Sequence, residues 1–568
     1  MSATIQTFEE VATLIRSQDI SRRHRYPTPF GDRLVCYADL TASGRHLQCV
    51  EDWMAGLRPM YANSHTLVSS TGRLVTRLRE EAREIIHRSV NAGEDDIVLF
   101  VGAGATAATN KLVGLLGFRI SEPLDTAYRL SDQIPAHERP LVFLGPYEHH
   151  SNELPWMESV AEVEEVPLTD CGRVDLDHLE RRLRETTGRP LRIGSFNAAS
   201  NVTGILTEVG AIAKILHRHG ALACFDYAAS APYVPIDMHP ADPEERIDAL
   251  FLSPHKFVGG PGGSGVLVAH RSLFRTRSPE RPGGGTVDYV AGPERTDVDY
   301  VHCPAEREEG GTPAIMGDLR ASAAFLLKDR ADASAIMKHE MEISRKAMER
   351  LDRHPKIRIL GPVEPDRLAI LSVSIEDLHH DFASILLDHL FGIQNRSGCS
   401  CAGPYGHRLL DIHRDESERF RALLRRGFQG VKPGWVRLSL PWYSTPEEID
   451  FILEATEFVA DHGLDFLPLY SHNWKDGLWC HRENDVGCNG GPVLDVEALL
   501  KATHPVPDAA GFTESQIQAE QAGYLTAARR LAIELRARWE QEQPVWNPPS
   551  GDDEIDELVW FKYVHASM

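Results

Sequence analysis

The chain has 568 residues, 42% of them hydrophobic, and a formal net charge of −23 at neutral pH. That apolar share supports a sizeable core, and the length suffices for several average domains. The acidic balance excludes nonspecific nucleic-acid binding and docking on anionic membranes, both of which need a basic surface.

No run of about 18 apolar residues reads as a membrane span. The first twenty residues are mixed in character, without the basic-then-apolar layout of a signal peptide. Nine cysteines, an odd number without framework spacing, fit free thiols in a reducing, cytoplasmic compartment.

From residue 96 to 270 short β-rich runs alternate with helical stretches. Residues 97–101 read as a buried strand, and Gly102-Ala103-Gly104-Ala105-Thr106 turns into a helix through Leu116. Residues 191–196 read as a strand and 207–217 as a helix, with Gly220 where a C-terminal cap belongs. Two more strands follow at 221–227 and 249–253. Such alternation predicts parallel βαβ units with helices on both faces of the sheet, whose ligands gather at the carboxyl ends of the strands. A second domain is expected to begin near Ile315, with helices over 317–328 and 331–354 and strands over 369–374 and 436–440. Thr445-Pro446-Glu447-Glu448 is a capping box opening a helix that Gly463 is expected to end. Beyond it, residues 471–507 are rich in turn formers. Thr513 then starts a helix with Ile517, Leu525, Leu531, Leu535 and Trp539 on one stripe. The tail Leu558-Val559-Trp560-Phe561-Lys562-Tyr563 is too apolar to stay in water and is expected to dock. Cys480, His481 and Cys488 offer three metal ligands, but no fourth stands at a familiar spacing, and no metal site is expected.

Three features carry chemistry. Ser253-Pro254-His255-Lys256 closes a strand and precedes a glycine-rich loop, which suits an imine between Lys256 and an aldehyde cofactor. Asp226 ends the strand before it, where a carboxylate can pair with a protonated pyridine nitrogen. Gly104-Ala105-Thr106 sits at a strand-to-helix turn, where backbone N–H groups and the helix dipole hold phosphate. Taken singly they read as a solvated lysine, a turn aspartate and a tight turn; their order along the chain joins them.

That order resembles the class V aminotransferase family of fold type I pyridoxal 5′-phosphate (PLP) enzymes, and within it the branch of cysteine desulfurases and selenocysteine lyases. The likeness spans roughly residues 37–463. Tyr37-Ala38-Asp39-Leu40-Thr41-Ala42 resembles the opening Y-x-D-x-A-A segment, and Tyr61-Ala62-Asn63-Ser64-His65 a Y-x-N-x-H stretch whose asparagine lies near the substrate. Gly104-Ala105-Thr106 with Asn110 matches the phosphate turn, except that Ala107 replaces the usual glutamate. Glu148-His149-His150-Ser151-Asn152 matches E-H-H-x-N, which implies that His149 stacks on the cofactor ring. Ser200-Asn201-Val202-Thr203-Gly204 matches S-N-x-x-G and implies Asn201 near the cofactor's phenolic oxygen. The resemblance further implies cofactor contacts at Ala105, Thr106, Ser253 and His255, the pyridinium partner at Asp226, and the Schiff base at Lys256.

Glu309-Gly310-Gly311-Thr312-Pro313 resembles the segment that reaches a neighbouring subunit's phosphate site, implying a homodimer with shared active sites and Thr312 acting in trans. Val436-Arg437-Leu438-Ser439 matches the strand whose arginine grips the substrate carboxylate. Arg396-Ser397-Gly398-Cys399-Ser400-Cys401-Ala402 resembles the desulfurase loop R-x-G-x-x-C-A, placing the nucleophilic thiol at Cys401 and a substrate contact at Arg396. The glutamine usual three residues after the cofactor aspartate is Ala229 here.

The expected fold is therefore α/β of fold type I: an N-terminal arm and the start of the small domain (1–60), a large PLP-binding domain on a parallel sheet (61–315), a smaller α+β domain (316–463) and an extension of unknown role (464–568). The expected reaction takes sulfur from L-cysteine or a related amino acid, gives alanine, and leaves a persulfide on Cys401 for an acceptor protein. A PLP-dependent C–S lyase giving pyruvate, ammonia and sulfide, a class V aminotransferase or epimerase, and a fold-retaining interaction protein are the alternatives.

Overall fold

The computed structural model describes residues 7–292, 297–363, 366–483, 495–496 and 512–568. They form two compact units. Unit 1 holds the described residues within 1–18, 41–341 and 364–368, and unit 2 those within 19–40, 342–363 and 369–568. Among the described residues no helix is long and apolar enough to cross a membrane.

Unit 1 is built on a seven-stranded sheet in the order Asp96–Phe100, Val266–His270, Ala249–Leu252, Leu222–Asp226, Arg192–Asn197, Leu141–Leu144 and Glu162–Glu165. Every neighbouring pair is parallel except those of Val266–His270, which runs antiparallel to both its neighbours. The central strands are apolar at nearly every position because helices cover both faces. Gly104–Leu115 buries Ala108, Leu112 and Leu115, and Val209–Arg218 buries Ile212, Ala213 and Leu216. Gly220 has a φ of +69°, the left-handed geometry expected of a residue just past a helix end.

The helix Ile315–Ala331 belongs to unit 1 rather than opening the second unit. Its Asp318 is buried and accepts from Arg79 of the helix Ser70–Ser89 at 2.8 Å and from Ser264 at 2.6 Å. Glu309 also pairs with Arg79, so two carboxylates share one buried guanidinium.

Unit 2 centres on an antiparallel sheet, Ile357–Ile359, Ile370–Ile375, Trp435–Ser439 and Arg396–Gly398. Cys36–Tyr37 pairs in parallel with Ile393–Gln394. The described residues beyond 463 pack into this same unit. The helix Glu514–Glu542 starts at a complete capping box between Thr513 and Gln516 and buries Ile517, Leu525, Ala528, Ala532 and Leu535. The apolar tail docks, with Phe561 3% and Tyr563 1% exposed, and His565–Ser567 adds a parallel strand to Tyr470–Asn473.

Two local expectations are corrected. The helix opened by Thr445 runs on to Phe466, past Gly463. A Cβ on Gly463 would stand 2.6 Å from Leu378 Cδ1, so the glycine answers a close approach and not a helix end. Thr445 Oγ1 does accept from the Glu448 N–H, but the Glu448 carboxylate is held by Arg22 at 2.7 Å, which leaves the capping box half made. Of the possible metal ligands, Cys488 lies outside the described residues.

Candidate active site

In unit 1 the sequence-predicted residues converge on the carboxyl ends of neighbouring strands. Ala249–Leu252 runs into a tight turn, Pro254–Lys256, which leaves Lys256 half-buried. The Ser253 side chain turns back to the other phosphate-binding candidate, accepting the Ala105 N–H at 2.9 Å. Gly104, at φ +57°, makes this approach possible: a Cβ there would lie 2.7 Å from Ser253 Oγ and 2.8 Å from His255 Cε1. Burial, with help from the neighbouring Lys256 charge, lowers the His255 imidazole to about 4, so it is neutral at physiological pH. Thr106 is exposed at the first turn of its helix, its hydroxyl 2.6 Å from that of Ser151.

Asp226 closes the next strand and is 4% exposed. Burial raises its carboxyl, while the Ala228 N–H at 2.8 Å and the Lys256 charge pull the other way. A buried carboxylate with one backbone donor and a lysine nearby is a site prepared for a cationic ring nitrogen. On this ground the residues present fit PLP.

His149 caps the helix His150–Met157, its Nδ1 accepting from the Ser151 N–H at 3.1 Å. Its neighbour Glu148, given no role by the sequence, anchors the loop. Oε1 accepts from the N–H groups of Asn197 at 2.8 Å and Gly145 at 3.2 Å, and Oε2 from Asn152 at 2.8 Å. Burial pushes this carboxyl up to about 8. The one signal for it was a charged residue opening the E-H-H-x-N segment. Asn201 is buried after the strand Arg192–Asn197. Asn63 and Thr312 are exposed, 3.5 Å apart, in the same chain. Ala229 stands where the glutamine was expected and is 7% exposed.

In unit 2, Arg437 is 4% exposed in the strand Trp435–Ser439, and Arg396 is its direct cross-strand partner. Asp39 lies between the two guanidinium groups. Oδ1 accepts from Arg437 at 2.8 Å, and Oδ2 lies 3.4 Å from Arg396. Sequence reasoning used Asp39 only as a motif letter; its pairing with Arg437 spans 398 positions, beyond any local pattern. After Gly398 the chain makes a tight turn that leaves Cys401 exposed and Cys399 half-buried, before the helix Gly403–Leu409 begins.

The family model for aminotransferase class-V matches residues 36–452. The chain belongs to this family. Within it the chain sits on the cysteine desulfurase-like branch and is a PLP-dependent enzyme. It is 30% identical over 437 residues to a probable cysteine desulfurase of Halalkalibacterium halodurans, covering 76% of this chain and 94% of that one. A probable cysteine desulfurase of Streptomyces coelicolor is 30% identical over 438 residues, covering 76% and 93%. Among solved structures, the apo cysteine desulfurase of Thermococcus onnurineus is 25% identical, with a TM-score of 0.60 over 75% of this chain and 95% of that one. A cysteine desulfurase of Escherichia coli, 22% identical with a TM-score of 0.59 over 75% of this chain and 95% of that one, supports the fold. The family match ends at residue 452, before the capping-box helix Glu514–Glu542 and the docked tail.

Proposed function

We propose that this enzyme removes sulfur from L-cysteine or a closely related amino acid, yielding alanine and a persulfide on Cys401. The observation that carries the reading is the exposed thiol of Cys401, in a turn that follows directly from the strand pairing Arg396 with Arg437. Lys256 is assigned to hold the cofactor's aldehyde carbon, with Asp226 at the ring nitrogen. His149 is assigned to the ring face, Asn201 to the phenolic oxygen, and Ala105, Thr106, Ser253 and His255 to the phosphate.

PLP, when bound, supplies an electron sink conjugated to the substrate's α-carbon. The protein's part is to orient and to move protons. Arg437 receives the α-carboxylate, for which a planar guanidinium offers two parallel donors. With the cofactor bound and its amine free, Lys256 Nζ would take the α-proton as general base. The carboxylate of Asp226 holds a proton on the ring nitrogen. Cys401, as thiolate, attacks the substrate sulfur; the S–S bond forms as the substrate's Cβ–S bond breaks, and that electron pair ends, with a proton, on the carbon of the alanine released.

Thr312 is assigned to a neighbouring subunit's phosphate site in a homodimer. Glu309, bound by Arg79 and Arg83, fixes the start of this segment, while Gly310, Gly311 and Thr312 reach towards solvent. A sulfur-acceptor protein is the implied second partner.

The test is the purified protein with PLP and L-cysteine, with alanine, pyruvate and sulfide quantified for wild type and Cys401→Ser. Alanine that disappears in the variant supports the proposal. Alanine formation unaffected by Cys401→Ser overturns the role of that thiol, and pyruvate in place of alanine makes the enzyme a C–S lyase.

A further inference from the structure

The loop that presents Cys401 holds a second thiol at fixed register. The Ala402 N–H donates to the Cys399 carbonyl at 3.1 Å, closing a four-residue turn. Both residues inside it are left-handed, Ser400 at φ +50° and Cys401 at φ +54°. That is the geometry of a type I′ turn, which ordinarily selects Asn-Gly. Here Ser and Cys occupy it, with Gly398 at φ +96° just before.

Cys399 and Cys401 thus stand at the first and third positions of one tight turn. A left-handed residue between them draws their Cα atoms to about 5.5 Å, within the span a disulfide covers. The ring such a bond would close contains a single intervening residue. It is strained, and strained disulfides are readily reduced.

We propose that Cys399 resolves the persulfide on Cys401, so that the enzyme discharges its sulfur as sulfide and passes through a Cys399–Cys401 disulfide. This rests on the reading that Cys401 carries sulfur. The Cys399 thiolate attacks Sγ of Cys401. The Sγ–Sγ bond forms as the bond from Cys401 Sγ to the outer sulfur breaks, and that sulfur leaves with the electron pair as hydrosulfide, protonated by the proton Cys399 gave up. The sulfane sulfur is the oxidant and is reduced to sulfide, and the two cysteine sulfurs are oxidised to the disulfide. A dithiol then reduces the disulfide and returns both thiols.

Two features of the turn serve this step. Cys401 is exposed, so it can receive sulfur from outside, whereas Cys399 is half-buried one residue away and reaches its neighbour before it reaches a large acceptor. The strain keeps the disulfide from becoming a resting state. Without a dithiol the enzyme stops after one discharge.

The test uses the full-length reduced protein, loaded in separate samples with L-cysteine plus PLP and with inorganic tetrasulfide, which supplies sulfane sulfur without any PLP chemistry. Cleavage after Arg396 and Arg408 isolates a peptide with Cys399 and Cys401 as its only cysteines. Mass spectrometry without reductant is expected to find this peptide short of two hydrogens in wild type, with sulfide released in equal amount. In Cys399→Ser the peptide should instead retain an added sulfur on Cys401, and sulfide release should be lost. A wild-type peptide that keeps its added sulfur as fully as Cys399→Ser overturns the proposal. Disulfide formation with tetrasulfide but not with L-cysteine would uphold the resolving step and refute L-cysteine as the sulfur source.

Discussion

Asp39 Oδ1 accepts a 2.8 Å hydrogen bond from Arg437 while its other oxygen lies 3.4 Å from Arg396. One carboxylate therefore neutralises two arginines that face each other across an antiparallel strand pair. The geometry implies a stand-in. Arg437 waits with a carboxylate already at one edge, so its orientation exists before an amino acid arrives.

Arg437→Lys should raise KM for the amino-acid substrate about 10- to 100-fold while PLP still loads, because an ammonium cannot make the two parallel bonds. Steady-state kinetics with visible absorbance read both. Asp39→Asn should lower unfolding stability by about 3 kcal/mol, since it removes the negative charge that pairs with the buried Arg437. Urea unfolding checks this.

Asp226→Asn separates function from stability. The carboxyl is buried and its pKa raised, so its ionised form costs folding energy, and that cost grows as pH rises through the folded-state pKa. The neutral variant without cofactor should therefore be at least as stable as wild type at neutral pH. With PLP added, turnover should fall about 100-fold or more, because the ring nitrogen loses its partner. A thermal melt and an alanine assay on the same sample decide it.

Glu148 should leave a signature in the pH dependence of stability. Its pKa rises from 4.5 in the unfolded chain to about 8 in the fold, so the folded protein holds the extra proton between those values. Stability is fully present below the lower value and is lost as pH climbs towards the upper one, by at most about 1.4 kcal/mol per pH unit. Glu148→Gln should flatten unfolding free energy across pH 5–8, measured by urea titration at several pH values.

Phe561 packs against His379, His472, Trp474 and Trp479, with ring centroids 4.5 to 6.0 Å away. Phe561→Ala should cost about 3 kcal/mol in the stability of unit 2, the usual toll of a large cavity in a packed core. Proteolysis should then begin in the tail, which identifies where the loosening starts.

What was legible in the sequence was what local pattern controls. The strand–turn–helix from Asp96 to Leu115 follows from an apolar run meeting glycines, and the Thr513 helix from a capping box and an apolar stripe. The docking of the tail followed from its composition alone. The edge strand Glu162–Glu165 was not legible, because charged residues keep an edge from further pairing and erase the apolar signal. Gly463 was misread because a glycine after a helical run looks the same whether it ends the helix or makes room for Leu378. Asp39 with Arg437, and Glu148 with the Asn197 backbone, are products of tertiary packing between residues that no periodicity connects.

Unit 2 is drawn from three separate stretches of chain, and Thr28 meets the His389 carbonyl 361 residues downstream. A ribosome therefore makes the first piece of this core long before its partners exist. Until the last stretch emerges, the edge offered by Cys36–Tyr37 stands open to any strand that passes, so timing of synthesis and chaperone cover would govern yield as much as final stability. Moving residues 19–40 to follow residue 568 in a rearranged gene would shorten that wait.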